Sequence, residues 1–304
     1  MRRTASAATA LAALIVLAAG APATLAHTAQ NSASPRSVTT ERCRAPQLPP
    51  VGEPLVVDPD SVKAPSGTSR PVSDRATYQR VASAVRNFAG CMNAGDHLRA
   101  APLLSAHFVK DFMGQDSYQT VPDVLGGLRI EHLRIGEIRA YADGSFTTDL
   151  RYLAYGHQLA HVKMNWWKDR RDGFLKVNGL EALDSPVAPE AQEVRVEMGE
   201  YFFRLDRTTV RAPHGSAVLR LTNIGKERHE AILLRLPEGA TGADLFNGKL
   251  SPKDVTTVAQ ENGGDELSLV GLTPGTYTLV DFIPAADGKP NGMHGQTAQF
   301  TVTR

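Results

Sequence analysis

The chain has 304 residues, with 33 Lys and Arg against 32 Asp and Glu, a formal charge of +1 at neutral pH, and 42% hydrophobic residues. This is enough chain for two domains with separate cores. No basic tract interleaves with aromatics, so the sequence does not read as a nucleic-acid binder.

In chain order, the first 26 residues read as a signal peptide. Arg2 and Arg3 precede a short apolar run, Leu11 to Ala19, and small residues at Ala21, Ala23 and Ala26 offer cleavage sites. The run is too short for a comfortable membrane span, so the mature chain is expected to be secreted or held in the envelope without a transmembrane segment. Residues 27–72 form a Pro/Ser-rich linker, broken by Pro46, Pro49, Pro50, Pro54, Pro59, Pro65 and Pro71, and are expected to be disordered. The short run Leu55, Val56, Val57 could dock on a neighbouring domain. Cys43 and Cys91 are the two cysteines. In an exported chain they are candidates for a disulfide closing a loop of about 48 residues, and the competing reading leaves two thiols with Cys91 buried in a helix.

Residues 73–185 read as an α+β domain. Tyr78, Val81, Val85, Phe88 and Met92 recur at helical spacing, with Ser73 or Asp74 as the cap and Gly95 as the stop. Asp96 starts a second helix that Pro102 should kink or split, and short helical stretches follow over 105–113 and 117–125. After Gly126 and Gly127 the period becomes two. Strands are expected over 128–141, with a bulge near Gly136, and over 145–155, 157–168 and 174–177, with hairpin turns at Asp143-Gly144 and Asp172-Gly173. The stretches NFAGCMNAGDHLRAAPLLS, YADGSF and NWWKDRRDGFLKVNGLEAL resemble the nuclear transport factor 2-like family, which includes polyketide-cyclase-like proteins. That resemblance implies an α+β cone, helices on a curved antiparallel sheet, with a pocket between sheet and helices.

Residues 186–193, with Pro186 and Pro189, read as a linker, and 194–304 as an all-β domain. Strands are expected over 200–205, 208–212, 217–223, 230–236, 276–280 and 299–302. Strand Ala217 to Asn223, the turn IGKERH and the tail GTYTLVDFIP resemble the cupredoxin family, which implies a Greek-key sandwich and four copper-ligand positions. The resemblance puts the first imidazole at His229, the thiolate position at Asp281, the second imidazole position at Asn291 and the axial position at Gln296. Blue copper needs a thiolate, two imidazoles and a weak thioether. Only His229 meets that pattern, so no cofactor is expected. The alternative is a zinc or non-blue copper ion held by His229, Asp281 and His294; against it stands a His229 retained for packing and an exposed loop His294.

The remaining histidines carry no metal pattern. His157 and His161 on one strand would be roughly 13 Å apart, too far to share an ion, and His97, His107 and His132 stand alone. No nucleophile–base motif or phosphate loop is present. An isomerase- or cyclase-like site could draw on Asp96, Asp111, Tyr78, Tyr152 and Tyr155, but Asp96 is accounted for as a cap and Tyr78 by the apolar stripe. The leading expectation is a secreted, non-catalytic binding protein. Its partner would be a small apolar ligand in the α+β pocket or an extracellular protein on the sandwich.

Overall fold

The structure, a computed structural model, describes residues 43–261 and 265–304. The signal-peptide reading and the first part of the linker lie outside those residues. The chain is mostly β-sheet, with one long helix and several short ones.

The described part of the Pro-rich stretch is ordered, contrary to expectation. Cys43 and Cys91 form a disulfide with Cα atoms 4.8 Å apart. Beside it, Arg44 N donates to the Asn87 side chain at 2.9 Å and Asn87 Nδ2 returns a bond to Arg44 O at 2.6 Å. Helix α1 (Pro59–Lys63) is capped by Asp58. Strand β1 (Ser69–Pro71) pairs antiparallel with residues 139–141. Ala45, Leu48 and Leu55 pack on the first core. A segment too apolar-poor to fold alone has borrowed backbone partners, a covalent tether and a few contacts from its neighbour.

Helix α2 (Arg75–Asn93) follows the apolar stripe, and it is Asp74 that caps it, accepting from Ala76 N and Thr77 N. Gly95 just beyond it has φ +71°, which suits a residue without a Cβ. Helix α3 (His97–Ala100) is capped by Asp96 and gives way at once to a tighter turn containing Pro102. A wide helical turn over Phe108–Phe112 stacks its two Phe rings 4.5 Å apart. Helix α4 (Val121–Leu125) closes the helical part.

Strands β2 (Ile130–Tyr141), β3 (Phe146–Ala154), β4 (Gln158–Lys168) and β5 (Leu175–Ala182) form an antiparallel meander. The register of β2 slips between Ile135 and Ile138, flanking Gly136, and again between Glu131 and Arg134. The inward faces meet α2: Phe88 sits edge-on to Trp166 at 6.4 Å, and Trp166 Nε1 donates to Thr148 Oγ1 at 2.9 Å.

The remaining strands are β6 (Gln192–Gly199), β7 (Phe202–Leu205), β8 (Thr209–Arg211), β9 (Ala217–Asn223), β10 (Ile232–Arg235), β11 (Thr256–Gln260), β12 (Glu266–Leu269), β13 (Gly275–Val280) and β14 (Thr297–Thr303), with helix α5 (Gly242–Phe246) after β10. They make a two-sheet sandwich, β12-β9-β6-β7 facing β11-β10-β13-β14-β8. Val196, Leu219, Leu267, Leu279 and Phe300 lie in the core between the sheets.

The two cores are joined by one continuous sheet. Strand β5 covers β4 only from Val162 onward, which leaves the start of β4 as an open edge. Strand β12 takes that edge, pairing Ser268 with Leu159 and Leu269 with Gln158. Gln158 also bridges to β11, donating from Nε2 to Gln260 O at 2.9 Å and accepting from Gln260 N at 3.0 Å.

Replacing both cysteines (Cys43→Ala with Cys91→Ala) is expected to lower stability by ~2–4 kcal/mol in urea unfolding, because the cross-link restrains a long loop in the unfolded chain. An unchanged midpoint would mean that the tether contributes nothing.

Candidate functional site

Two buried features stand out, one in each core. The first is a cavity of about 60 Å³ between the helices and the meander. Its apolar walls include Phe88, Leu104, Phe108, Leu125, Ile130 and Met164, and its polar lining is Tyr152, Tyr155 and Gln260. No Asp, Glu or His is among the residues that line it.

Local geometry explains how the polar groups arrive there. Tyr152 lies on the inward face of β3, two residues from Leu150 and Ala154, all three buried. Tyr155 occupies the first position of the tight Tyr155-Gly156 turn between β3 and β4, with φ values of +55° and +76°. Its ring is presented toward the joint, and its hydroxyl donates to Gln260 Oε1 at 3.0 Å. Gln260 comes from the sandwich, so both units contribute to the wall. Burial pushes the Tyr152 phenol up to about 12 and raises Tyr155 further, so both hydroxyls stay protonated over the physiological range.

The second feature gathers the four positions that the cupredoxin resemblance singled out. His229 Nδ1 lies 2.9 Å from Asp281 Oδ2, and both side chains are fully buried. Asn291 Nδ2 donates to the same oxygen at 3.1 Å, and the Gln296 amide sits 3.0 Å from His229 Nδ1. Ile283 N donates to the other Asp281 oxygen at 2.7 Å. The loop after β13 folds back through Gly292, whose N–H donates to Asp281 O at 2.8 Å; the Phe246 ring leaves no room for a Cβ there. Three buried atoms, His229 Nε2, Asn291 Oδ1 and Gln296 Oε1, find no hydrogen-bond partner in the protein.

His294 is not part of this cluster. It pairs with Asp287 at 3.1 Å and lies against the exposed Tyr201 ring at 4.9 Å. Among the described residues, no group of three His, Cys, Asp or Glu is placed to hold a metal ion. Four other histidines have separate partners: His157 with Val270 O, His161 with Asp149 and Asp184 O, His107 with Asp111, and His97 with Leu128 O. Of the residue types named for catalysis, Tyr152 and Tyr155 line the cavity; Asp96, Asp111 and Tyr78 do not.

Glu230 escaped the sequence reading and lies between the two features. It is 4% exposed and accepts from Phe282 N at 3.1 Å. Burial, then the charge of Asp281, holds its carboxyl well above the usual range. Asp281 is also raised, by burial, against the pull of His229, Ile283 N–H and Asn291. The charge of Glu230 in turn opposes ionisation of Tyr155. The sole sequence signal was an acidic residue beside His229 at the head of an apolar strand.

No family model matches the chain, and no curated protein matches it. Among solved structures, reduced auracyanin from the photosynthetic bacterium Roseiflexus castenholzii is similar over 38% of this chain and 98% of its own, at 16% identity and a TM-score of 0.27. Auracyanin B is similar over 39% and 94%, at 19% identity and a TM-score of 0.26. The multicopper oxidase McoA from the hyperthermophile Aquifex aeolicus is similar over 59% and 53%, at 12% identity and a TM-score of 0.21. Scores this low carry no argument about function, and the sandwich rests on its own strand pairing.

The raised Glu230 carboxyl fixes a pH dependence. The native state keeps a proton that the unfolded chain releases above 4.5, the ordinary glutamate value. Its contribution therefore favours folding below that pH and erodes as pH rises toward the native value. Glu230→Gln is expected to match the wild type near about pH 4 and to be the more stable protein at about pH 8, in urea midpoints. Equal midpoints at both would refute the assignment.

Proposed function

We propose that the chain is a secreted, non-catalytic binding protein that holds a small apolar ligand in the cavity of its first unit. On this reading that unit is an α+β cone like the nuclear transport factor 2-like proteins, and the second is a cupredoxin-like scaffold. The observation that carries it is the cavity wall: apolar side chains with two phenols and one amide, and no titratable base to move a proton. Small-molecule sites have this character, apolar with a few placed polar groups. The disulfide fits an oxidising compartment. Among the described residues no helix is long and apolar enough to cross a membrane.

Native mass spectrometry of protein purified from its own culture medium is expected to show a retained small molecule. Leu180→Trp, which puts bulk at the half-buried rim, should abolish that signal without loss of fold. Binding that survives the substitution would remove the cavity from the function.

A second reading, a metal protein, draws on the three unpartnered atoms beside His229 and Asp281. One imidazole, one carboxylate and two amides do not fit blue copper, which requires a thiolate. A harder or non-blue ion would have His229 and Asp281 as its strongest donors, with the amide oxygens of Asn291 and Gln296 as weak ones. Cupric ion added to the pure protein is expected to give no intense blue colour, and elemental analysis is expected to give the same metal content for wild type and His229→Ala. Metal present in the wild type and lost in the variant would favour this reading over the first.

A further inference from the structure

We propose that the groove between the Pro-rich segment and the end of the meander binds a small molecule carrying two or more phosphate or sulfate groups. The site is separate from the apolar cavity and does not depend on the apolar-ligand reading.

Register builds the groove. Phe146 faces Trp166 across β3 and β4, and Lys168 faces Leu175 across β4 and β5. Both Asp-Gly turns therefore close their hairpins at one end of the sheet, beside Lys168. Against this end lies the segment after α1. It is held there by Ser66, whose N–H and hydroxyl donate to Asp143 Oδ2 at 2.7 and 2.9 Å. The groove between them has a volume of about 560 Å³, which is in the range of small-molecule sites. A second depression of about 440 Å³ adjoins it through Gly144, Lys168 and Gly173.

Charge sets the class of ligand. Lys63, Lys168 and Arg170 line the groove, with Asp60 and Asp143. The acids are already engaged. Asp143 accepts from the N–H and hydroxyl of both Ser66 and Ser145, and Asp60 lies 3.6 Å from Arg170. The ammonium groups of Lys63 and Lys168 have no hydrogen-bond or ion-pair partner among the described residues.

The Trp167 indole adds a third free group. Trp167 lines the groove, and its Nε1–H makes no hydrogen bond among the described residues. It is not one of the buried atoms that lack a partner, so it opens to solvent. Two ammonium groups and an indole N–H are donors only. Together they complement the oxygens of an oxyanion, and two separate ammonium groups match more than one negative charge. Concave walls strengthen that attraction over what the same lysines would exert from a convex surface. In the adjoining depression Arg80 lies 5.8 Å over the Phe146 ring and has no ion-pair partner among the described residues, which gives a longer anion a further cation.

The test is calorimetric titration of the full chain, at physiological ionic strength, with inositol hexakisphosphate, sucrose octasulfate and uncharged myo-inositol. The first two separate phosphate from sulfate as the preferred group. At least one of them is expected to bind, and myo-inositol is not. Lys63→Ala combined with Lys168→Ala should weaken that binding about a hundredfold, roughly tenfold for each charge-assisted hydrogen bond lost. Lys253→Ala, an exposed position in the sandwich unit, should leave it unchanged. No binding of either anion overturns the proposal, and so does affinity that the double substitution leaves intact. Equal weakening by Lys253→Ala also overturns it, since that marks attraction to positive surface at large and not to the groove.

Discussion

The short pairing between β4 and β12 is the constraint on which most of the molecule depends. It spans only two residue pairs, reinforced by the reciprocal bonds between Gln158 and the Gln260 backbone. Each bond is individually modest, but all lie in a water-poor joint where leaving a donor or acceptor unmade is expensive. Through them the meander and the sandwich become one nine-stranded sheet. Gln260 is held at the cavity wall by the same bonds, and Tyr155 is held by Gln260. The cavity is therefore a product of the joint and not of the first unit alone.

Charge follows the same route. Glu230, Asp281 and His229 are buried together, and the charge of Glu261, also buried, adds to that of Asp281 against ionisation of Glu230, with Arg228 opposing. Such a group cannot remain fully ionised at low dielectric, so a proton stays on Glu230 while Asp281 takes the hydrogen bonds from His229, Asn291 and Ile283. The four side chains of this cluster bond to one another and leave three buried atoms without a partner in the protein.

The legible parts of the fold were those with strong local signals. Asp74, Asp96, Gly95 and the two Asp-Gly turns mark their elements by cap and turn chemistry that needs no tertiary partner. The grouping of His229, Asp281, Asn291 and Gln296 was legible only through the cupredoxin resemblance, which carried each position over from the family. Strands β6, β11 and β12 were not foreseen. The alternation of Val194, Val196 and Met198 lay inside the expected β-domain but was not read as a strand, and β11 and β12 are too short to show a period. Residues 59–71 were misread because prolines forbid long elements but permit a five-residue helix and a three-residue edge strand when a neighbour supplies the partners. His294 was credited with reaching His229 on nearness in sequence, whereas the short helical turn over Asn291–His294 sends it to Asp287.

The turn at Tyr155 has a consequence for how this chain tolerates change. An asparagine would sit more comfortably in that left-handed conformation, but it would take away a wall of the cavity and a bond across the joint. Selecting for an easier turn and selecting for a firmer joint would thus pull position 155 toward different amino acids. The ring trades comfort in the turn for the bond that ties it to the sandwich.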